Sequence, residues 1–323
     1  MIAFMISILI ATKDRPNKLL HCLQSIFSCN DVTFEIIVID QSSTGINNSL
    51  LSSFSMTQRK KIIYMTQRKA NKARALNTAI KVSRYPILAF TDDDCIVDKL
   101  WLKQIERHFR LHPDHNGVFG NVMPYAKTKT KSVASPSCLV NMSVIATSDP
   151  YVVQHEVLGN GNNMVIRKSA ILSLGREWFR EWLGDVSVCQ AGGIENEVVY
   201  RLLRNGSVIA HDPSVKIFHD RWLASRAFKT LTAKYCCGYS AFIIYSAIKY
   251  GDIHVLQLLV VMMRDSLRDV QQYLQRGGTF IVRSKEMLSR YYFFSLRLLF
   301  IAKGVCVGSY FGFLNRAVLF VNA

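Results

Sequence analysis

Three consecutive carboxylates, Asp92, Asp93 and Asp94, interrupt the segment ILAFTDDDCIVD at residues 87–98. Like charges crowded at the end of an apolar run repel one another unless a cation arrives there. Two of them, Asp92 and Asp94, stay near one point whether the chain is extended or turns. Hard divalent cations such as Mn2+ or Mg2+ take oxygen ligands of this kind, commonly one or two carboxylates together with substrate phosphates. A cation so held offsets the carboxylate repulsion and neutralises a diphosphate leaving group. The competing account is an acidic cap on the following stretch, DKLWLKQIERHF. A cap uses one Asp, and three exceed what it needs.

The elements that would position these carboxylates are readable around them. MISILIA (5–11), FEIIVID (34–40) and YPILAFT (85–91) are short continuous apolar runs, as strands of a parallel sheet covered on both faces require. PNKLLHCLQSIFS places Leu19, Leu20, Leu23, Ile26 and Phe27 at helical spacing behind Pro16, and NKARALNTAIKVS is again helical. With the short strand KIIYM, the first 90 residues read strand–helix–strand–strand–helix–strand, a doubly wound nucleotide-binding half. Ligands of such sheets gather at the carboxyl ends of the strands. TKDRP, Asp40 and Asp92 to Asp94 each follow a strand at that edge, so three distant segments converge on one crevice.

Farther along, NGVFGNVMPYAK and NNMVIRKSAI are expected as strand or strand-to-helix segments with a variable loop between them. GGIENEVVYRLLRNG reads as a helix with glycines before it, an acidic first turn and Gly206 after it, and VIAHDPSVKIFH reads as a last strand. From Arg221 onward the chain becomes helical and basic, with fourteen Lys and Arg against four Asp and Glu, a net of +10. Its apolar stretches are interrupted by Arg264, Arg268, Arg297, Lys303 and Arg316, too often for a spanning helix. Helices lying on a membrane surface and a helical appendage packed on the main domain both fit this pattern.

At 323 residues, half of them hydrophobic and a fifth charged, the chain is globular, with one large domain and an appendage. The net charge of +17 fits a phosphate-rich partner, either an anionic membrane surface or nucleic acid. Eight cysteines without a CxxC pair point to free thiols of a reducing cytoplasm. The opening MIAFMISILIATKDRP lacks a basic n-region and a cleavage site, so it is expected to be a first strand rather than a leader. His108, His112 and His115 have partial metal-ligand spacing, but Pro113 breaks the helix between them and no nearby Cys or carboxylate completes a ligand set. Trp178, Trp182 and Trp222 are either sugar-stacking rings or core aromatics, with Trp178 the best acceptor-side candidate; Asn162 and Asn163 either bond ligand hydroxyls or shape a turn.

In order and spacing, ISILIATKDRP, EIIVIDQSSTG, KARALNTAI and LAFTDDDCIVDKLWL resemble the family 2 glycosyltransferases of GT-A fold, and GNNMVIRKSAI, GGIENEVVYRLLRNG and FHDRW extend the resemblance to about residue 222. It implies an α/β architecture, a Rossmann-like, doubly wound and mostly parallel sheet, over residues 1–222, with a nucleotide-sugar half at 1–115 and an acceptor half at 116–222. Residues 223–323 would be the helical C-terminal extension.

The resemblance also implies roles. Thr12, Asp14 and Arg15 match the loop lining the nucleotide pocket, and Asp40 the carboxylate that accepts from a nucleobase N–H. Arg74 and Asn77 match a helix facing the donor, while Lys72 is either a phosphate ligand or an ordinary exposed residue. Asp92 would approach the ribose or sugar and Asp94 would hold the metal, with Asp93 between them on the donor side. His219 in FHDRW matches a histidine that some members place near metal and diphosphate. The family's Glu-Asp pair before RLL is altered here. Aligned on Arg201, Ile194 replaces the Glu and Glu195 replaces the catalytic Asp, which makes Glu195 the expected base; Glu197, four residues before Arg201, reads as its ion-pair partner.

The implied activity is transfer of a sugar, with inversion, from a nucleotide-diphosphate donor to an acceptor hydroxyl, assisted by Mn2+ or Mg2+. The expected acceptor is a saccharide or lipid-linked saccharide of cell-surface polysaccharide synthesis, and the expected location is the cytoplasm, peripheral to the inner face of the membrane. Nucleic acid is not an expected partner. A nucleotidyltransferase is the main rival, although ATKDRPNK has no glycine where that class is glycine-rich. A nucleic-acid-binding protein and a catalytically degenerate, nucleotide-binding homologue are the others.

Overall fold

A computed structural model describes residues 4–29, 32–43, 48–125, 133–139, 145–151, 159–185, 187–188, 192–264, 298–299 and 301–313. Parts of the expected variable loop (126–132, 140–144, 152–158) and of the basic tail (265–297, 314–323), including Arg268, Arg297 and Arg316, lie outside them. The elements run β1 (Met5–Thr12), α1 (Pro16–Phe27), β2 (Thr33–Asp40), α2 (Asn48–Ser52), α3 (Met56–Arg59), β3 (Ile62–Thr66), α4 (Lys72–Val82), β4 (Ile87–Asp92) and β5 (Cys95–Val97). Then follow α5 (Trp101–Leu111), β6 (Gly117–Pro124), β7 (Val133–Ala134), β8 (Ile145–Thr147), β9 (Met164–Arg167), α6 (Lys168–Leu172), α7 (Ile194–Arg204), β10 (Ile209–His219), β11 (Leu223–Ala224) and α8 (Ser225–Tyr250).

The main sheet has the order β3-β2-β1-β4-β9-β6-β10-β5, with β8 on β10. The strands β3, β2, β1 and β4 are all parallel, as their apolar runs predict, and β6 is parallel to β10. β9 followed by α6 is the strand-to-helix segment expected in NNMVIRKSAI; what the sequence did not announce is its direction, antiparallel to both β4 and β6. Ile6, Ile8, Ile10, Ile36 and Val38 meet Leu19, Leu23 and Ile26 of α1 and Trp101, Leu102 and Ile105 of α5 in one core. Covering an isoleucine-rich sheet with helices removes apolar surface from water on both faces, the dominant favourable term in such a domain.

Register aligns the strand ends. Thr12 pairs with Asp40, Asp40 with Thr66, and Ala11 with Asp92, so β1, β2, β3 and β4 finish on one edge. After Asp92 the chain turns through Asp93 and Asp94 into β5, where Cys95 pairs with His219 at the end of β10. The carboxylates are therefore held in a turn between two strands and do not cap α5. No side chain caps α5; Asp98 shapes the turn just before it, its Oδ1 accepting from the Leu100 N–H at 2.8 Å.

The chain divides into two compact units, Met1–Glu181 with Val198–Leu223, and Trp182–Glu197 with Ala224–Ala323. The division expected near residue 222 is thus modified, because Trp182–Glu197 groups with the C-terminal region. Within that second unit, Trp182 stacks on Phe311 with ring centroids 4.6 Å apart. Gly192 and Gly193 lie in the left-handed region, and a Cβ at Gly193 would sit 2.3 Å from the Gly238 carbonyl oxygen on α8. Helical residues 301–313 also approach α8 closely: a Cβ on Gly304 would lie 2.1 Å from the Cys237 carbonyl oxygen, and one on Gly308 2.4 Å from that of Ala241. Ile253, Val260, Met263, Leu298, Leu299, Tyr310 and Phe313 remain exposed there. No helix among the described residues is long and apolar enough to cross a membrane.

Candidate functional site

The loop between β1 and α1 is built to aim a cation at the carboxylates. Asp14 is in the left-handed region (φ 55°), alone in that respect among the described non-glycine residues. Asp and Asn tolerate that conformation better than most residues. Its N–H donates to Ser42 Oγ at 2.7 Å, and Ser42 Oγ in turn donates to Asp40 Oδ1 at 2.6 Å, which ties the loop to the end of β2. The next residue, Arg15, places Nη1 2.7 Å from Asp94 Oδ2 and 3.1 Å from Asp93 Oδ1. Thr12 Oγ1 donates to Asp93 Oδ2 at 2.7 Å, and Lys72 Nζ lies 2.9 Å from Asp92 Oδ1.

These contacts set the charge state. Burial pushes the Asp93 carboxyl up to about 6, with Arg15 and the Thr12 hydroxyl opposing it. Burial also pushes Asp94 up, but His219 and Arg15 outweigh it and hold the carboxyl at about 2. His219 is raised: burial alone would lower it, and Asp94 reverses the sign. Arg15 is raised in the same way, its burial outweighed by Asp93 and Asp94.

The donor set fits a divalent cation. His219 Nδ1 lies 2.7 Å from the Pro136 carbonyl oxygen, which can only accept, so Nδ1 carries a proton. The other nitrogen, Nε2, is buried, lies 3.2 Å from Asp94 Oδ1 and makes no well-formed hydrogen bond. A carbonyl holding one nitrogen and a lone pair left open on the other is the arrangement common to metal-binding imidazoles. Asp94, Cys95 and His219 offer ligand atoms within 4.8 Å of one another. Burial, with Asp92 and Asp94 adding to it, raises the Cys95 thiol well above its ordinary value, which leaves a neutral sulfur that hard cations avoid. Asp94 and His219 are therefore the residues of this group whose atoms could hold a hard divalent cation.

Several other expected residues have different employment. Asp40 is wholly buried, with Oδ1 taken by the Ser42 N–H and hydroxyl and Oδ2 by the Tyr64 hydroxyl. A nucleobase N–H would have to replace Tyr64, a neighbour on β3 that sequence reading missed. Arg74 and Asn77, expected to face the donor, fasten the 177–181 loop instead. Asn77 exchanges two hydrogen bonds with the Phe179 backbone at 2.8 and 2.9 Å, and Arg74 Nε donates to Glu181 Oε2 at 2.7 Å. Lys72, read as more simply an exposed helix residue, is an ion-pair partner of Asp92.

Asn163 is fully buried and belongs to the core. Its amide oxygen accepts from Trp101 Nε1 at 2.9 Å, and its amide nitrogen donates to the Asn121 and Val215 carbonyls, each at 3.0 Å. It clamps β10 where the register shifts between Asp212 and Lys216, which leaves no group for an acceptor. Trp178 is 9% exposed, and its carbonyl accepts from Arg201, so its ring too is largely enclosed. Arg201 also donates to the Glu177 carbonyl at 3.0 Å, a backbone role that its i,i+4 spacing with Glu197 did not suggest. Glu195 stands half-buried in the first turn of α7, two residues after Gly193.

The histidine cluster is a buried relay in which His108 Nδ1 lies 2.9 Å from Asp212 Oδ2 and Nε2 lies 3.1 Å from His115 Nδ1. Sequence reading found no carboxylate for it because Asp212 is remote in the chain.

Comparison with known proteins gives the fold its class. The chain aligns with S. aureus TarS over 76% of its own length and 44% of that protein, at 14% identity and TM-score 0.48, so it spans less than half of that relative. With residues 1–349 of S. aureus TarS the cover is 98% of this chain and 91% of the other, at 13% identity and TM-score 0.52. The mannosyltransferase PcManGT of Pyrobaculum calidifontis, solved in complex with GDP-Man and Mn2+, covers 94% and 73% at 12% identity and TM-score 0.52. The two likenesses at TM-score 0.52 define a GT-A fold. No curated protein matches the chain. The model of glycosyl transferase family 2 matches residues 7–169, half of the chain, and the protein belongs to that family.

Proposed function

We propose that the protein is an inverting glycosyltransferase that moves a sugar from a nucleoside-diphosphate donor to an acceptor hydroxyl, with Asp94 and His219 holding Mn2+ or Mg2+. The observation that carries this reading is the buried, unsatisfied His219 Nε2 facing Asp94 at the strand edge where Thr12, Asp40 and Asp92 also end. The fold neighbour captured with GDP-Man and Mn2+ supports a nucleotide-sugar donor and a divalent cation. Held by Asp94 and His219, a divalent cation would neutralise charge developing on the leaving diphosphate.

The chain's own residues do the rest. Thr12 and Asp14 shape the donor loop, and Arg15 and Lys72 bring positive charge to the phosphate side, while Asp92 and Asp93 meet the ribose and sugar. Glu195 accepts the proton of the attacking hydroxyl as that hydroxyl becomes acidic in a single in-line displacement. Its place at a helix N-terminus favours the ionised form.

The acceptor class we assign is a lipid-linked saccharide of cell-surface polysaccharide synthesis, met at an anionic membrane surface. The exposed apolar side chains of the C-terminal unit and its excess of basic residues support that placement.

A thermal-shift and hydrolysis screen of nucleotide sugars with and without Mn2+ tests the donor reading. One donor should stabilise the protein in a Mn2+-dependent manner, and Asp94→Ala should abolish that shift. Equal response to every nucleotide with no effect of the metal would reject it.

A further inference from the structure

The cluster at the strand edge already contains cations of its own. Lys72 lies on Asp92 and Arg15 on both Asp93 and Asp94, while the His219 imidazole also faces Asp94. Arg15 differs from Lys72, which holds a single carboxylate of the three. It bridges two nearly buried carboxylates while its own side chain is 46% exposed. Its backbone is fixed by the Asp14 turn and by the start of α1, where the Leu19 N–H bonds to the Arg15 carbonyl at 3.1 Å. The guanidinium thus has a rigid base and room in solvent to swing.

We propose that Arg15 is a built-in stand-in for the divalent cation, holding Asp93 and Asp94 until the metal and the donor diphosphate arrive together. The inference rests on the metal reading of Asp94 and His219. A dication between Asp94 Oδ1 and His219 Nε2 takes its place beside the oxygen that Arg15 occupies, and two positive groups on one carboxylate repel. Arg15 must then give up Asp94. Without an anion to receive it, the guanidinium loses its partners, so metal binding alone is penalised. A diphosphate is a matched partner for a planar guanidinium and removes that penalty. Metal and diphosphate therefore bind with positive coupling, and Arg15 is the positioning residue that carries it. By linkage the coupling is reciprocal: Mn2+ must raise diphosphate affinity by the same factor by which diphosphate raises Mn2+ affinity.

The test measures Mn2+ binding to the full chain by loss of the free-ion electron paramagnetic resonance signal, with and without GDP or UDP. Arg15→Gln should bind Mn2+ alone about tenfold more tightly than the unaltered protein, and nucleoside diphosphate should enhance its Mn2+ affinity far less. Arg15→Lys, which keeps the charge, should restore most of the coupling. Circular dichroism confirms that each variant is folded. If Arg15→Gln binds Mn2+ alone no better than the unaltered protein, or keeps the full coupling, the stand-in role is wrong although the metal site survives. If neither protein binds Mn2+ even with nucleotide, while Asp94→Asn changes nothing, the metal reading falls and takes this inference with it.

Discussion

His219 reaches Asp94 across 3.2 Å with one imidazole nitrogen and holds the Pro136 carbonyl with the other at 2.7 Å. The carbonyl fixes both the ring plane and the tautomer, so the lone pair is presented to the cation site before any ion binds. His219→Ala should weaken Mn2+ binding in the presence of nucleoside diphosphate by about tenfold or more, and Asp94→Asn by a larger factor. Isothermal titration checks both. Unchanged Mn2+ affinity in His219→Ala would remove the imidazole from the ligand set.

Glu195→Gln should retain the donor-induced thermal shift while transfer falls by roughly 10²–10⁴-fold. A quench-flow or end-point transfer assay with the donor found by screening reads this directly. Normal transfer by the variant would move the base elsewhere, with Glu197 the next residue to substitute.

The pair Asp212–His108 predicts a dependence of stability on acid. Burial pushes Asp212 up, but His108 and Ser214 outweigh it and hold the carboxyl at about 2, below its ordinary 3.8. A depressed carboxylate contributes stability that is fully present above its unfolded value and disappears as pH falls through the folded one. Urea unfolding should therefore show a contribution of about 2 kcal/mol that is complete above about pH 5 and fades toward pH 2. Asp212→Asn should flatten that part of the profile. A variant that loses stability equally at pH 3 and pH 7 would show that packing, not charge, sets the effect.

Gly193 has φ 79° and would place a Cβ 2.3 Å from the Gly238 carbonyl oxygen. Gly193→Ala should cost about 1–3 kcal/mol in chemical denaturation. Because Glu195 follows two residues later in the first turn of α7, transfer should fall along with stability. An unaltered denaturation midpoint would mean that this close approach is absent.

The C-terminal unit predicts salt-sensitive binding to anionic vesicles. The Leu299→Asp and Phe313→Asp pair, both exposed in the structure, should release the protein from phosphatidylglycerol vesicles in a sedimentation assay without changing donor-induced thermal shifts. Retention at high salt by the double variant would argue against lipid contact through this face.

The parallel half of the fold was legible because its strands are unbroken apolar runs and each polar cluster falls just after one. Asp92–Asp94, Thr12, Arg15 and Asp40 could be assigned to one edge by that rule alone. What the sequence could not carry was partnership across the chain. Asn77 and Asn163 are amides in otherwise suitable places, and nothing local shows that a loop backbone or a strand bulge consumes their hydrogen bonds. Lys72 looked idle because its partner, Asp92, lies on another element. Trp182–Glu197 read as part of the catalytic half because sequence order hides the close approach of Gly193 to α8. The direction of β9 was not legible because four residues, Met164–Arg167, give too short a pattern to set it.

That short strand also dictates an order of assembly. As the chain emerges from the ribosome, β1 to β4 can pair among themselves, but the outer side of β4 has no partner until residues 164–167 appear. Among the described residues β6 has before then only the single bridge from Val122 to Cys138, since the strands that flank it are β9 and β10. Two strand margins therefore stay largely unpaired during synthesis, the condition in which nascent chains stick to one another. Chaperone demand and inclusion-body formation in this protein should trace to β9 more than to any residue of the catalytic edge.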